Sequence, residues 1–286
     1  MGLHSAPIVV GDVLAERLFS RTESSILTSA TLSIDSSFDY IREHVGLPDA
    51  SGLLCDSPFD FTSAAMLYLP TDIADPDRPA YQAQLAESLV RVCSAAGGRT
   101  LVLFTAHSQL RQCWGAIKRP LEERDILVLA HGVDGISRRN LLQSFKTNPR
   151  SVLLGASSFW EGVDVVGDAL SVLVIAKLPF AVPTDPVVAA RGEQYEDPFT
   201  EFSLPQAVLR FKQGFGRLIR SSNDRGVAIV FDRRVQTRSY GRLFLDSLPP
   251  ATVRRGPIAE AASEVTTWLA GGLRARGSVD RGEPIR

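Results

Sequence analysis

The stretch SLPQAVLRFKQGFGRLIR, residues 203–220, decides how the rest of the chain is interpreted. Placed on a helix that advances about 100° per residue, its apolar and polar side chains separate to opposite sides. The polar side carries three guanidiniums, one carboxamide and no acid, a combination that favours an external polyanion such as phosphate over a solvated basic face. The apolar side consists of Leu204, Val208, Phe211, Phe215, Leu218 and Ile219, and the polar side of Arg210, Gln213, Arg217 and Arg220.

Two glycines, Gly214 and Gly216, fall inside this predicted helix. Each glycine costs roughly 1 kcal/mol in a helix interior, so a helix that keeps two of them needs a reason for both. We therefore expect another backbone or a ligand to approach closely at these positions.

Composition indicates a folded protein without a membrane segment. The chain has 286 residues, of which 44% are apolar, and no apolar run approaches the ~20 residues of a membrane span. The first residues lack the charged start and apolar core of a signal peptide, so we expect a cytoplasmic protein with no membrane partner. The formal net charge is only −1, but residues 210–242 hold nine Lys and Arg residues against two acids.

Cysteine and histidine usage predicts no metal site. The three cysteines, Cys55, Cys93 and Cys113, form no CxxC pair, and the four histidines form no HxxxH or HExxH pair. We therefore expect free thiols and no bound metal in this chain.

Apolar runs alternate with helical patterns along the chain, which predicts a parallel sheet covered by helices on both faces, an α/β fold. The expected strands lie in SSILTSATLS, AAMLYLP, RTLVLFTA, ILVLA, SVLLGA, LSVLVIAKLPF and GVAIVFD, with SGLLCDSPFDF a strand or an extended segment. The expected helices are SFDYIREHVGL closed by Gly46, residues 80–96, residues 108–118 ended by Pro120, SRRNLLQSFK, residues 203–220 and residues 258–269, with a frayed tail from about Arg274.

Four stretches share the position that follows an apolar strand, where α/β proteins bind ligands. They are TSATL (28–32), FTAHSQL (104–110), SSFWEGVDVVGDAL (157–170) and QGFGRLIR (213–220). In this order and spacing they resemble motifs III, IV, V and VI of superfamily 2 helicases, in the XPD/DinG branch of DNA helicases. LPFAVPTDP (178–186) fits the same branch, and the resemblance covers residues 12–248.

The resemblance implies a motor of two RecA-like domains, with ATP between them and single-stranded DNA crossing both. This chain would be a RecA-like domain with the fold of P-loop NTPases but without the P-loop. Gln213 and Arg217 would reach the ATP γ-phosphate, and Arg220 would be a further phosphate contact or organiser. The residues expected to bind nucleotide or couple it to DNA are Glu161, Gly162, Asp164 and Gly216. For Glu161 and Asp164, a capping or loop role is the alternative.

The resemblance also implies contacts to DNA. Hydroxyls and backbone amides at the starts of helices can bind the DNA phosphates. The predicted contacts are Thr105, His107, Ser108, Ser157 and Ser158, together with Thr28 and Ser29 in a loop, also holding Thr31, that couples the two domains. For Thr105 to Ser108 and for the serine pair, plain N-caps are the alternative. Phe159 and Trp160 either stack on a base or belong to the core.

Several motor parts are absent from the sequence. It contains no GxxxxGK[ST] segment, no DEAH-like acidic strand end and no four-cysteine iron-sulfur insertion. We therefore expect ATP and Mg²⁺ only in the complete two-domain motor, no iron-sulfur cluster in this chain, and no ATPase activity of the chain alone. Residues 1–35 would be a remnant of the first motor domain including motif III, 36–255 the second RecA-like domain, and 256–286 a C-terminal helix and flexible tail.

The expected partners are single-stranded or forked DNA and an N-terminal helicase domain, in the same polypeptide or a separate chain. The family suggests 5′ to 3′ movement. The alternative is a free-standing nucleic-acid-binding or regulatory module that has lost motor activity. A glycosyltransferase-like half ranks lower, because the sequence shows no sugar-nucleotide carboxylate pattern.

Overall fold

The computed structural model describes residues 5–133, 135–160 and 170–277. This part of the chain is built on one sheet of seven strands, all of which pair in parallel. The strands are β1 (Ala65–Pro70), β2 (Thr100–Phe104), β3 (Leu127–Ala130), β4 (Ser151–Ala156), β5 (Val172–Ile175), β6 (Gly226–Val230) and β7 (Thr252–Gly256). Their spatial order is β3-β4-β2-β5-β6-β1-β7.

Helices cover both faces of the sheet, as the alternating pattern predicts. The helices of the described residues are α1 (Val10–Arg17), α2 (Asp39–Val45), α3 (Phe61–Ala64), α4 (Pro79–Ala95), α5 (His107–Glu122), α6 (Arg138–Thr147), α7 (Pro186–Gly192), α8 (Leu204–Phe215), α9 (Arg234–Thr237), α10 (Gly241–Asp246) and α11 (Ala261–Gly277). The helices α4, α5 and α11 close one apolar core. The helices α6, α8 and α10 close the other.

The inner strands are buried along their whole length, which explains why their sequences are continuously apolar. Every residue of β1, β2, β4, β5 and β6 is buried, and successive side chains enter the two cores alternately. The predicted parallel sheet with helices on both faces is confirmed. Within the described residues, no helix has both the length and the apolar character needed to cross a membrane.

The edge strand β7 has no counterpart among the predicted strands. Its sequence, TVRRG, offers no apolar run, and Val253 is 43% exposed. It joins the sheet through its backbone pairing with β1. This edge strand is held by backbone hydrogen bonds and buries few side chains. Its sequence therefore shows no hydrophobic period.

The strand predicted in SSILTSATLS is wrong. Residues 24–31 form no strand, and Ile26 is 88% exposed. The apolar part of this stretch is only Ile26 and Leu27, and ordering a strand costs about 1–2 kcal/mol per residue in backbone entropy. The segment SGLLCDSPFDF also forms no strand, and Leu53 is exposed.

The helix predicted over residues 203–220 ends earlier, at Phe215. Gly216 follows as its cap, and the chain then turns through hydrogen bonds from Arg217 to Gly214 and from Leu218 to Phe215. The low helix propensity of the two glycines accounts for this end. Because Arg217 and Arg220 lie beyond the helix, the predicted polar face does not continue to them.

Two other predicted helix ends are also wrong. Helix α5 continues through Pro120 to Glu122, because the burial of Leu121 and an ion pair from Arg119 to Glu123 support its last turn. Helix α11 continues past Arg274 to Gly277, and residues 278–286 of the predicted tail lie outside the described residues. The predicted domain boundaries at residues 35 and 255 stay predictions.

Candidate functional site

The polar residues near the end of α8 contact the TSATL segment. The side chain of Gln213 donates from Nε2 to the Thr31 hydroxyl at 3.2 Å, and Lys212 Nζ donates to the Ser33 carbonyl at 3.3 Å. Burial lowers the pKa of Lys212 below its usual value. Two of the four predicted motifs, distant in sequence, are therefore in direct contact.

Arg217 is a buried residue, contrary to its predicted place on an exposed polar face. Its side chain is 4% exposed, and Nη2 donates to the backbone carbonyl of Trp160. Arg220, three residues on, is exposed, and its backbone N–H donates to Asp224 Oδ2 at 2.7 Å. The turn after α8 thus separates the two arginines that the helix pattern placed together.

Trp160 links α8 to the sheet. The indole is 3% exposed, and its Nε1 donates to the carbonyl of Phe104, the last residue of β2, at 2.8 Å. Phe159 is fully buried, so both aromatics belong to the core rather than to an open stacking surface.

A close approach occurs at Gly214, but by a side chain and not by the backbone or ligand that was predicted. A side chain there would lie 3.2 Å from the Trp160 ring, so the approaching group is an indole. At Gly216 no close backbone approach is present, because the nearest atom, the Lys212 carbonyl oxygen, lies at an ordinary 3.4 Å, and the ligand approach stays a prediction.

A second group of predicted residues gathers where β2 and β4 end, and these strands are neighbours in the sheet. We call it the edge group: Thr105, His107, Ser108, Ser157 and Ser158. Ser108, Ser157 and Ser158 are exposed. The N-cap of α5 is Ala106, and no side chain caps that helix, so the capping alternative is not observed for Thr105 to Ser108.

Two residues beside the edge group were missed by sequence reasoning. The His131 ring lies 5.0 Å from the His107 ring and 4.8 Å from the Phe159 ring, and the Arg138 guanidinium lies 5.4 Å over Phe159. Burial, with His107 and Arg138 nearby, lowers the pKa of His131. The available signal was position, because His131 directly follows β3 just as Ser157 follows β4.

A buried ion pair after β6 was also missed. The Asp232 carboxylate is fully buried, accepts the Leu178 N–H at 2.8 Å, and pairs with Arg234 at 2.6 Å. It ties the loop after β5 to the end of β6, so its role is to hold the sheet edge together.

Of the remaining predicted residues, two are exposed and three lie outside the described residues. Thr28 and Ser29 are exposed, and the Ser29 hydroxyl lies 3.1 Å from that of Thr31. Glu161, Gly162 and Asp164 lie outside the described residues. In the described part of the chain, no group of three or more His, Cys, Asp or Glu side chains could hold a metal ion, and all three cysteines are free.

Comparison with known proteins identifies the family. The model of the helicase C-terminal domain matches residues 89–251, which include β2, β4, α8 and β6. The chain belongs to the helicase C-terminal domain family. Within this family, the resemblance to the XPD/DinG branch is confirmed by relatives that carry the DinG and YoaA names.

The curated relatives of this helicase C-terminal domain are much longer than the chain. The ATP-dependent DNA helicase YoaA of Escherichia coli is 40% identical over 89% of this chain and 40% of its own length. A Bacillus subtilis relative, the 3'-5' exonuclease DinG, is 37% identical over 95% of this chain and 30% of its own length. The chain therefore spans about a third of the relatives it matches.

Solved helicase structures share the fold. An XPD helicase aligns with a TM-score of 0.52 at 18% identity, covering 68% of this chain and 36% of that one. S. cerevisiae Dbp5 bound to RNA and ADP BeF3 aligns with a TM-score of 0.53 at 17% identity, covering 82% of this chain and 51% of that one. These likenesses confirm the RecA-like α/β fold of this helicase C-terminal domain.

Proposed function

We propose that the chain is the second motor domain of an ATP-dependent DNA helicase of the DinG/XPD kind. The observation that carries this proposal is the 3.2 Å hydrogen bond between Gln213 and Thr31, which joins the stretches resembling motifs VI and III. In a motor, these two stretches belong to the two sides of the nucleotide site. Their contact supports a role at that junction.

In this proposal, Arg217 supplies the positive charge that acts on the transferring phosphoryl group. A guanidinium at a transferring phosphoryl group neutralises developing negative charge, an effect worth roughly 10³ to 10⁵ in rate in related NTPases. In the structure Arg217 donates to the Trp160 carbonyl. We infer that it reaches phosphate by exchanging this hydrogen bond for one to the γ-phosphate, with Gln213 beside it and Arg220 as an outer contact.

In this proposal, the triphosphate is bound mainly by a first motor domain. The sequence holds no GxxxxGK[ST] segment, so ATP, the substrate, and its Mg²⁺ would be held by that other domain, on the same or another polypeptide. We assign no metal ligand to this chain. Its own contribution is Gln213, Arg217 and Arg220.

The first residues of the chain support a docked partner domain. Eight of the fourteen exposed large apolar side chains among the described residues lie before residue 55. Large exposed apolar patches mark interaction sites, and these eight side chains come from two stretches of the sequence, residues 8–27 and 53–54. We infer that the first motor domain covers this region.

DNA would cross the edge group. Hydroxyls and an imidazole at the ends of β2 and β4 suit the phosphates of a single strand or fork. The relatives named DNA helicases come from bacteria, and we infer a cytoplasmic location for this protein. A free-standing nucleic-acid-binding or regulatory module is the rival, and the intact QxxGRxIR stretch, in which Gln213 bonds to Thr31, argues against it.

The purified chain alone tests the proposal through ATP hydrolysis and the binding of fluorescent single-stranded DNA across a salt series. We expect no hydrolysis above background, and weak binding that falls steeply as salt rises. Hydrolysis that Arg217→Ala abolishes would mean a complete nucleotide site exists in this chain, which contradicts the half-motor. The DNA path would be refuted by a chain that binds no DNA even at low salt.

A further inference from the structure

The outward face of α6 carries positive charge that the proposed motor role leaves unused. Its sequence, RRNLLQSFKT, contains three basic residues and no acid. Leu141 and Phe145 are fully buried against the sheet, while Arg139, Gln143 and Lys146 are exposed. These three residues follow one another at four- and three-residue spacing, so they form one line along the helix.

Several basic residues of other helices make local ion pairs, whereas the two exposed basic residues of α6, Arg139 and Lys146, make none. Ion pairs at four-residue spacing join Arg91 to Glu87 on α4, Arg119 to Glu123 on α5, and Arg242 to Asp246 on α10. Among the described residues, neither Arg139 nor Lys146 makes an ion pair, and neither has a further electrostatic partner. A helix face built for solubility mixes both signs, so a face without acids favours an anionic partner.

The position of α6 connects this face to the edge group. The Arg138 guanidinium lies 5.4 Å over the ring of Phe159, which directly follows Ser157 and Ser158. From Arg139 to Lys146 the helix advances roughly 10 Å, a length that covers more than one phosphate of a nucleic-acid strand.

We propose that the exposed face of α6 is a second phosphate-binding surface, on which Arg139 and Lys146 hold the backbone of the DNA strand after it leaves the edge group. The inference rests on the proposed function, because it requires DNA at the edge group. The contacts are to phosphate only. The surface adds affinity without reading sequence.

The test is the salt dependence of single-stranded DNA binding by the Arg139→Gln/Lys146→Gln double variant of the full chain. Loss of two single-strand phosphate contacts reduces the slope of log affinity against log salt by about 1.4. The matched control is Arg91→Gln/Arg119→Gln, which removes two exposed helix cations from the opposite face. We expect the control to keep the wild-type slope, and both double variants to unfold in urea at the wild-type midpoint.

The outcomes separate this inference from the proposed function. If wild type binds DNA and the α6 variant keeps the slope of the control, the second surface is refuted while the edge group stands. If wild type binds no DNA, both fail together. A smaller slope for the α6 variant alone, at an unchanged unfolding midpoint, supports the second surface.

Discussion

Burial, with His107 and Arg138 nearby, lowers the pKa of His131 below its ordinary value of 6.5. The unfolded chain therefore binds a proton at His131 more readily than the folded chain does. Stability from this residue is fully present above pH 6.5, and it is lost as the pH falls through the lower folded pKa. The free energy of unfolding should therefore decrease as the pH falls, because the His131 imidazole takes up a proton.

We expect the free energy of unfolding of wild type to fall more steeply between pH 7 and pH 5 than that of His131→Gln, measured by urea denaturation. Between pH 7.5 and 8.5 the two curves should run parallel, which serves as the internal control. If they stay parallel down to pH 5, His131 does not titrate differently on folding, and its described environment is wrong.

At the scale of the element, α8 is fixed to the sheet by Trp160. An added methyl at Gly214 would lie 3.2 Å from Trp160 and 3.3 Å from Leu103, both of which are buried. Gly216 has no atom closer than 3.4 Å and a φ of −62°, which alanine adopts freely. The two glycines therefore allow a matched comparison.

Gly214→Ala should be less stable than Gly216→Ala by roughly 1–3 kcal/mol, because overpacking acts at one position only. Gly216→Ala itself should match or exceed wild type by about 0.4–1 kcal/mol, since alanine restricts the unfolded chain. Urea unfolding of both variants measures the difference. Equal stabilities would show that the indole does not pack against α8 as described.

The sequence predicts those elements whose stability comes from apolar burial. The strands β1, β2, β4 and β6 leave continuous apolar runs because helices cover both faces of the sheet. The strand β7 leaves no such signal, because backbone pairing to β1 holds it. The end of α8 was misplaced for a related reason, since helical periodicity continues through Leu218 and Ile219, which stay buried beyond the last helical turn.

The candidate site was predicted residue by residue, but not its arrangement. Position after a strand located Thr105 and Ser157, and the same rule applied to β3 locates His131. The burial of Arg217 and its bond to the Trp160 carbonyl depend on the turn after α8. Contacts of this kind are long-range and have no local sequence pattern.

At the scale of the whole molecule, the important facts are the family of the chain and the fraction of its relatives' length that it spans. The chain is a helicase C-terminal domain that spans about a third of its relatives. The activity we propose belongs to an assembly in which this chain contributes the arginine side of the nucleotide site. A direct test places the chain in such an assembly.

The decisive measurement is DNA-stimulated ATP hydrolysis by a chimera in which this chain replaces the matching region of Escherichia coli YoaA, to which it is 40% identical. We expect the chimera to hydrolyse ATP, and Arg217→Ala in the chimera to reduce the rate by roughly 10³-fold or more. ATP binding by both proteins controls for assembly of the site. Hydrolysis that is unchanged in Arg217→Ala would contradict the proposed role of this chain.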